Sequence, residues 1–131
     1  HTQDVFISVA AVADYKVSNN SEQKLKKTIS NQAPIIELVE NPDILASVAA
    51  LPNPPFCVGF AAESENVLEY ARAKRVRKGV PMLVANQVSQ AMGKATNQIT
   101  ILDNERETEY PESNKDQVAV AIVQRLSELL H

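Results

Sequence analysis

Phe56-Cys57-Val58-Gly59-Phe60, then the charged stretch Glu63 to Lys78, then Met82-Leu83-Val84-Ala85: this segment decides the fold. Its two outer pieces are short runs without polar alternation. A strand buried on both faces reads this way, as in a parallel sheet covered by helices. The piece between them has the length and spacing of a helix, with Val67, Tyr70, Ala71, Lys74 and Lys78 at intervals of three and four. Working outward, Leu51-Pro52-Asn53-Pro54-Pro55 ends an earlier helix over Ile44 to Leu51. That helix is expected to start at Asn41-Pro42-Asp43, with Asn as N-cap, Pro in the first helical position and an acid in the first turn. Val5 to Val9 and Ile35 to Val39 read as strands, Ala10 to Tyr15 as a turn of small residues, and Ser18 to Gln32 as a mobile lysine-rich loop. Downstream, Gln98 to Leu102 is a fifth strand and Glu107 to Tyr110 a sixth candidate. Ser113 is expected to cap a last helix reaching about Leu130, with Val118, Ile122, Leu126 and Leu129 on its apolar face. Strands alternating with helices predict a parallel α/β sheet. Ligands bind such sheets beyond the carboxyl ends of their strands. The candidate loops are therefore Ala10–Asp14, Glu40–Asp43, Phe60–Glu65 and Asn86–Ser89.

Composition agrees. The 131 residues suit one domain, 1–131, and a 44% hydrophobic share with only 5% aromatics supplies an aliphatic core. A net charge of −3 argues against a general nucleic-acid binder. The charge is nonetheless clustered: eight of the thirteen Lys and Arg lie in Lys24–Lys27 and Arg72–Lys78, and the segment after residue 100 is mostly acidic. Each cluster, taken alone, reads as a solvated face. One cysteine, Cys57, excludes an internal disulfide, fits a reducing cytoplasm and sits in an apolar run where a core thiol is expected. Histidine occurs only at positions 1 and 131, so no histidine triad or histidine metal site is expected. No stretch approaches the roughly 18 apolar residues a membrane span requires, and no signal peptide is visible. Three glycines, Gly59, Gly79 and Gly93, cannot form a Gly-x-Gly-x-x-Gly dinucleotide motif. The chain enters a strand almost at its start, as a piece cut from a larger protein does.

Several residues carry possible chemistry, each beside a plainer reading. Lys74 and Lys78 either snorkel to water at a rim or converge on an anion such as a triphosphate; spacing alone leaves both open. Gly59 to Glu63 leaves a strand through small residues that let a ligand near the backbone, and Phe60 either flanks a base or covers the sheet. The Asn41-Pro42-Asp43 helix start offers free N–H groups, as most helix starts do. Asp14 either accepts ribose hydroxyls or helps hold Mg²⁺, or is an ordinary turn residue. Lys24-Leu25-Lys26-Lys27 is either a soluble loop or one that closes over an anionic intermediate.

Six segments in order strengthen the functional readings: Ala10-Ala11-Val12-Ala13-Asp14-Tyr15, Lys24-Leu25-Lys26-Lys27, Asn41-Pro42-Asp43-Ile44, Val58-Gly59-Phe60-Ala61-Ala62-Glu63, Glu69-Tyr70-Ala71-Arg72 with Lys74, and Val84-Ala85-Asn86. Over residues 4 to 102 they resemble the phosphopantothenoylcysteine synthetase domain, the CTP-dependent ligase of coenzyme A biosynthesis. The resemblance implies a three-layer Rossmann-like fold with a mostly parallel sheet, here missing its N-terminal strands. It implies the C-terminal half of a bacterial bifunctional protein whose other half is an FMN-dependent phosphopantothenoylcysteine decarboxylase. It also implies a cytoplasmic homodimer or higher homo-oligomer acting on 4′-phosphopantothenate, cysteine and CTP with Mg²⁺. By matched position, CTP contacts fall on Ser8, Val9, Ala10, Asp14, Lys24, Pro42, Asp43, Ile44, Leu45, Phe60, Lys74 and Lys78. Lys24 matches the catalytic loop lysine, and Asp14 is the candidate metal ligand. The family's glycine-rich N-terminal segment, with its asparagine, has no counterpart here, and Gly79-Val80-Pro81 replaces a more polar approach. These 131 residues are therefore expected to be inactive alone. The alternative expectation is a non-catalytic nucleotide-binding or dimerisation module of the same fold.

Overall fold

A computed structural model describes residues 3–10, 13–18, 33–87 and 96–131. Lys24 and the rest of the lysine loop lie outside them. The chain divides into two units, residues 10–43 and residues 1–9 with 44–131.

The larger unit contains β1 (Val5–Ile7), α1 (Ile44–Ala49), β4 (Phe56–Glu63), α2 (Val67–Lys78), β5 (Met82–Gln87), β6 (Thr96–Asp103), β7 (Glu107–Glu109), β8 (Ser113–Asn114) and α3 (Lys115–Leu130); the smaller contains β2 (Tyr15–Val17) and β3 (Leu38–Glu40). The main sheet runs β1-β4-β5-β6-β7, with β8 also on β6. β1, β4 and β5 are parallel, as the unbroken apolar runs predicted. From β5 outward the sheet turns antiparallel: β6 pairs antiparallel with β5, and β7 with β6. The result is an α/β fold whose core strands are parallel.

Strand alternation sorts the core into two faces. Cys57, Ala61, Leu83 and Ala85 pack on one side with Leu45 of α1 and Ala71 of α2. Val58, Met82, Val84, Ile99 and Ile101 pack on the other with Ile122 and Leu126 of α3. All four residues expected on the apolar face of α3 belong to that second core: Val118, Ile122, Leu126 and Leu129. Gly59 faces α1. A Cβ there would lie 2.8 Å from Leu45 Cδ2 and 2.9 Å from Leu83 Cδ1, so the missing side chain is what lets α1 seat on β4. Cys57 is buried, its Sγ donates to the Pro55 carbonyl at 3.4 Å, and burial pushes its thiol pKa up. It is a core thiol, as expected.

Several boundaries shift. β4 continues to Glu63 because Phe60 to Glu63 pair in register with Val84 to Gln87. The helix expected from Glu63 therefore starts at Val67, after Asn66 in the left-handed region at φ 49°. It ends at Gly79, φ 69°, whose N–H returns to the Arg75 and Val76 carbonyls, a turn that glycine enters without Cβ strain. Ser113 belongs to β8, and the cap of α3 is Asn114. Its side chain accepts from the Gln117 amide at 2.8 Å while the Gln117 side chain accepts from the Asn114 amide at 3.2 Å, a reciprocal box.

In the smaller unit β2 and β3 form an antiparallel ribbon, Tyr15 opposite Glu40 and Val17 opposite Leu38. β2 begins at Tyr15, the last residue of the expected turn, and runs over Lys16 and Val17, ending just before the expected loop. β3 begins at Leu38 rather than Ile35. Asn41 does not act as the expected cap: its Nδ2 donates to the Ala13 carbonyl at 2.7 Å and its amide to the Asp14 carbonyl at 2.8 Å, closing the ribbon. α1 accordingly starts at Ile44, without an acid in its first turn.

Candidate functional site

The carboxyl ends of β1, β4 and β5 are the expected place for a ligand. Ser8 follows β1 and is tied to β4 by its amide, which donates to the Val58 carbonyl at 2.9 Å. Val9 beside it is exposed. Phe60 lies in the second half of β4, its ring half-buried against the α3-side core. Lys74 of α2 donates from Nζ to the Phe60 carbonyl at 2.8 Å. This bond ties the ammonium of α2 to the second half of β4. Lys78 is also partly buried. It sits one turn on, about 6 Å further toward the strand starts at roughly 1.5 Å rise per residue. The structure thus joins Phe60 and Lys74 directly.

Of the residues at α1, Ile44 is exposed, whereas Leu45 is buried in the core against Gly59. A contact from Leu45 to a ligand is thereby limited to its backbone. Ala10, Asp14, Pro42 and Asp43 belong to the smaller unit and are exposed. Lys24 lies outside the described residues. Among the described residues no group of three His, Cys, Asp or Glu could hold a metal ion between them.

Asn86, the next-to-last residue of β5, lies on the same face as Phe60, opposite Ala62. Its Oδ1 is buried without a hydrogen-bond partner, the only such side-chain atom among the described residues. Its Nδ2 reaches Asn97 Oδ1 only at 3.4 Å. The sequence placed Asn86 in a motif but gave it no role.

The opposite end of the sheet is built differently. Asp103 ends β6 beside Met82, the first residue of β5. Arg125 of α3 grips it twice, Nε to Oδ2 at 2.8 Å and Nη2 to Oδ1 at 3.0 Å, with both side chains buried. Asp103 Oδ1 also accepts from the Glu105 and Arg106 amides at 2.9 and 3.0 Å, closing the turn into β7. Burial pushes the Asp103 carboxyl up, but the Arg125 bonds and the two amides outweigh it and hold the carboxyl below its ordinary range. Arg125 reaches Glu105 and Glu128 as well, and its bonds to Asp103 first, then to Glu128 and Glu105, raise the guanidinium pKa further above its already high value. From the other face Arg72 of α2 forks onto Glu107, both bonds 2.6 Å, and Arg75 reaches Asn104 Oδ1 at 2.8 Å. The acidic segment and the arginine helix, each read as a solvated face, are partners here.

No helix among the described residues is long and apolar enough to cross a membrane. The chain is similar to the coenzyme A biosynthesis bifunctional protein CoaBC of Vibrio cholerae, 45% identical over 97% of this chain and 33% of that protein. It is 50% identical to the protein of the same name from Escherichia coli K12 over 67% of this chain and 22% of that protein. It thus spans about a third or less of these relatives. A solved C-terminal domain of a CoaBC matches 97% of this chain and 55% of that one, with 31% identity and a TM-score of 0.72. The DNA/pantothenate metabolism flavoprotein of Streptococcus pneumoniae shares the fold, with TM-score 0.73 and 15% identity over 96% of this chain and 63% of that one. The DNA/pantothenate metabolism flavoprotein C-terminal domain model matches residues 1–130, and the chain belongs to that family.

Proposed function

We propose that this chain is the nucleotide-binding part of a CTP-dependent phosphopantothenate–cysteine ligase in coenzyme A biosynthesis. What supports the reading is Lys74, fixed on the Phe60 carbonyl beside the carboxyl ends of parallel strands, in a chain whose relatives are named for coenzyme A biosynthesis. In the reaction, the 4′-phosphopantothenate carboxylate attacks the α-phosphorus of CTP, forming an acyl-cytidylate and releasing pyrophosphate. The cysteine amine then attacks the acyl carbon, loses its proton, and expels CMP. Activation is needed because a free carboxylate resists amine attack; splitting the step in two lowers each barrier. Lys74 and Lys78 would counter triphosphate charge with Mg²⁺, for which Asp14 is the candidate carboxylate. Ser8, Val9, Ala10 and the Pro42–Leu45 segment would approach the nucleotide through backbone groups. Lys24 would stabilise the charge developing in the closed site. The whole protein would act as a homodimer or higher homo-oligomer, and FMN would belong to its decarboxylase half alone.

The test uses the full-length protein. Calorimetric titration with Mg²⁺ is expected to show CTP binding more tightly than ATP; equal or tighter ATP binding sinks the reading. Lys24→Gln is expected to lower turnover about a hundredfold, the scale of losing one preorganised contact to transition-state charge. Lys26→Gln and Lys27→Gln are expected to be milder. Equal, modest losses in all three would make the loop an electrostatic funnel.

A further inference from the structure

We infer that the Asn86 side chain is a specificity-determining group that accepts a hydrogen bond from the exocyclic amine of the nucleotide base. The inference rests on the nucleotide reading above. Its starting point is the orphaned acceptor: Asn86 Oδ1 is buried with no partner. Nearly all buried polar groups in folded proteins are paired, and each exception calls for a reason.

The position sharpens the anomaly. Asn is disfavoured inside strands, and the four residues before it in this one, Met82 to Ala85, are apolar and buried. A β-branched apolar residue at 86 would suit the sheet better. The amide is not held by the fold in compensation, since its one contact, to Asn97 Oδ1, spans 3.4 Å, at the weak end of the hydrogen-bond range. A side chain that costs the ligand-free fold and does little for it is a candidate for work done with a ligand.

The chemistry restricts that ligand. A carbonyl oxygen is an acceptor only, so it repels phosphate and carboxylate oxygens and takes N–H or O–H donors. Oδ1 thus does not serve the triphosphate, which the lysines of α2 attract. It lies on the Phe60 face, one strand from Phe60 and two residues further along the register. A base flanked by the Phe60 ring would bring its polar edge toward the end of β5. The amide can turn about its broad terminal torsion to present Oδ1 to that edge. A donor arriving there replaces no existing strong bond, so the full gain appears as affinity.

The test compares the wild-type full-length protein with Asn86→Val. Three quantities are read: the melting temperature without ligand, the Kd for CTP with Mg²⁺, and the Kd for pyrophosphate with Mg²⁺. The melting temperature is expected to hold or rise. CTP is expected to bind roughly tenfold more weakly, the scale of one hydrogen bond in a dry site. Pyrophosphate, which lacks a base, is expected to bind unchanged. A lower melting temperature makes Asn86 a structural residue and overturns the inference. Unchanged CTP binding, or equal weakening of CTP and pyrophosphate, overturns it too. If CTP binding holds while the KM for 4′-phosphopantothenate rises, the donor is an amide of the acyl substrate and the base assignment fails. Wild-type protein that binds no CTP ends the nucleotide reading itself, an outcome distinct from a variant that matches a CTP-binding wild type.

Discussion

The two ends of the main sheet use charged and amide side chains in opposite ways. Where the parallel strands begin, Asp103 accepts from two backbone amides and from two nitrogens of one buried arginine. Where they finish, Asn86 leaves an oxygen unpaired. Saturated bonding fixes geometry, and unsaturated bonding keeps binding capacity in reserve. A parallel sheet assigns these duties by polarity, because helix starts and ligands both gather at the carboxyl ends of strands. The difference teaches where to expect mutations to act: on stability at one end, on affinity at the other.

The largest effect should come from the saturated end. Asp103→Asn leaves the Arg125 guanidinium buried with only Glu105 and Glu128 as anionic partners. Breaking a buried pair from one side costs about 3–5 kcal/mol, so a loss of about 3 kcal/mol in urea unfolding is expected. The same carboxyl sets an acid limit. Its folded pKa is depressed, so its stabilisation is complete above the unfolded value, about 3.9 for Asp, and is lost as pH falls through the folded value. Urea midpoints of the wild type are expected to drop on acidification below about pH 4, and Asp103→Asn to flatten that drop. An equally steep acid limb in the variant would place the titrating group elsewhere.

The open end should respond in affinity. Lys74→Met keeps most of the apolar stem and removes the ammonium. Stability is expected to change by less than about 1 kcal/mol, the scale of a net hydrogen bond such as the one to the Phe60 carbonyl. Affinity for Mg²⁺–CTP is expected to fall about tenfold or more, the cost of removing a charge-assisted contact. The reverse pattern, a large loss of stability with unchanged Kd, would make Lys74 a strap between α2 and β4 and erase the contrast between the two ends.

How much of this was legible varies with how local the cause is. β4, β5 and the apolar face of α3 were readable because burial on both faces, or on one helical stripe, leaves a pattern within a few residues. Phe60 and Lys74 were likewise marked, one by a strand followed by small residues and the other by helical spacing. The extension of β4 over Ala61-Ala62-Glu63 was not, because alanine and glutamate favour helix and only pairing with Ala85 to Gln87 overrides that preference. β2 has three residues, too few to show a period. Asp103 looked like one acid among many, since the arginine that buries it lies 22 residues later on another element. Asn86 stood in a recognised motif, yet an unpaired oxygen is a property of surroundings that a sequence does not print.

The smallest effect should come from Arg72→Met, and it tests whether geometry or burial decides what an ion pair contributes. Arg72 and Arg125 reach the same β6–β7 turn from opposite faces, each in a two-pronged fork. By distance Arg72 makes the better fork, 2.6 Å against 2.8 and 3.0 Å, and its bonds draw the Glu107 carboxyl below the usual range. By exposure it is the poorer one, with side chains 57% and 36% accessible against 3% and 0% for Arg125 and Asp103. Water and salt screen exposed charges, and ordering two long side chains offsets most of the attraction. Glu107 left alone simply rehydrates, whereas Asp103 left alone stays dry. Arg72→Met is therefore expected to shift the urea midpoint no more than Arg77→Met, an exposed neighbour on the same helix, and Arg125→Met to shift it severalfold more. Both Arg72 and Arg77 variants should lose their small difference from wild type at high salt. A midpoint shift for Arg72→Met approaching that of Arg125→Met would show that bond length outweighs solvent, and that the turn is held equally from both faces.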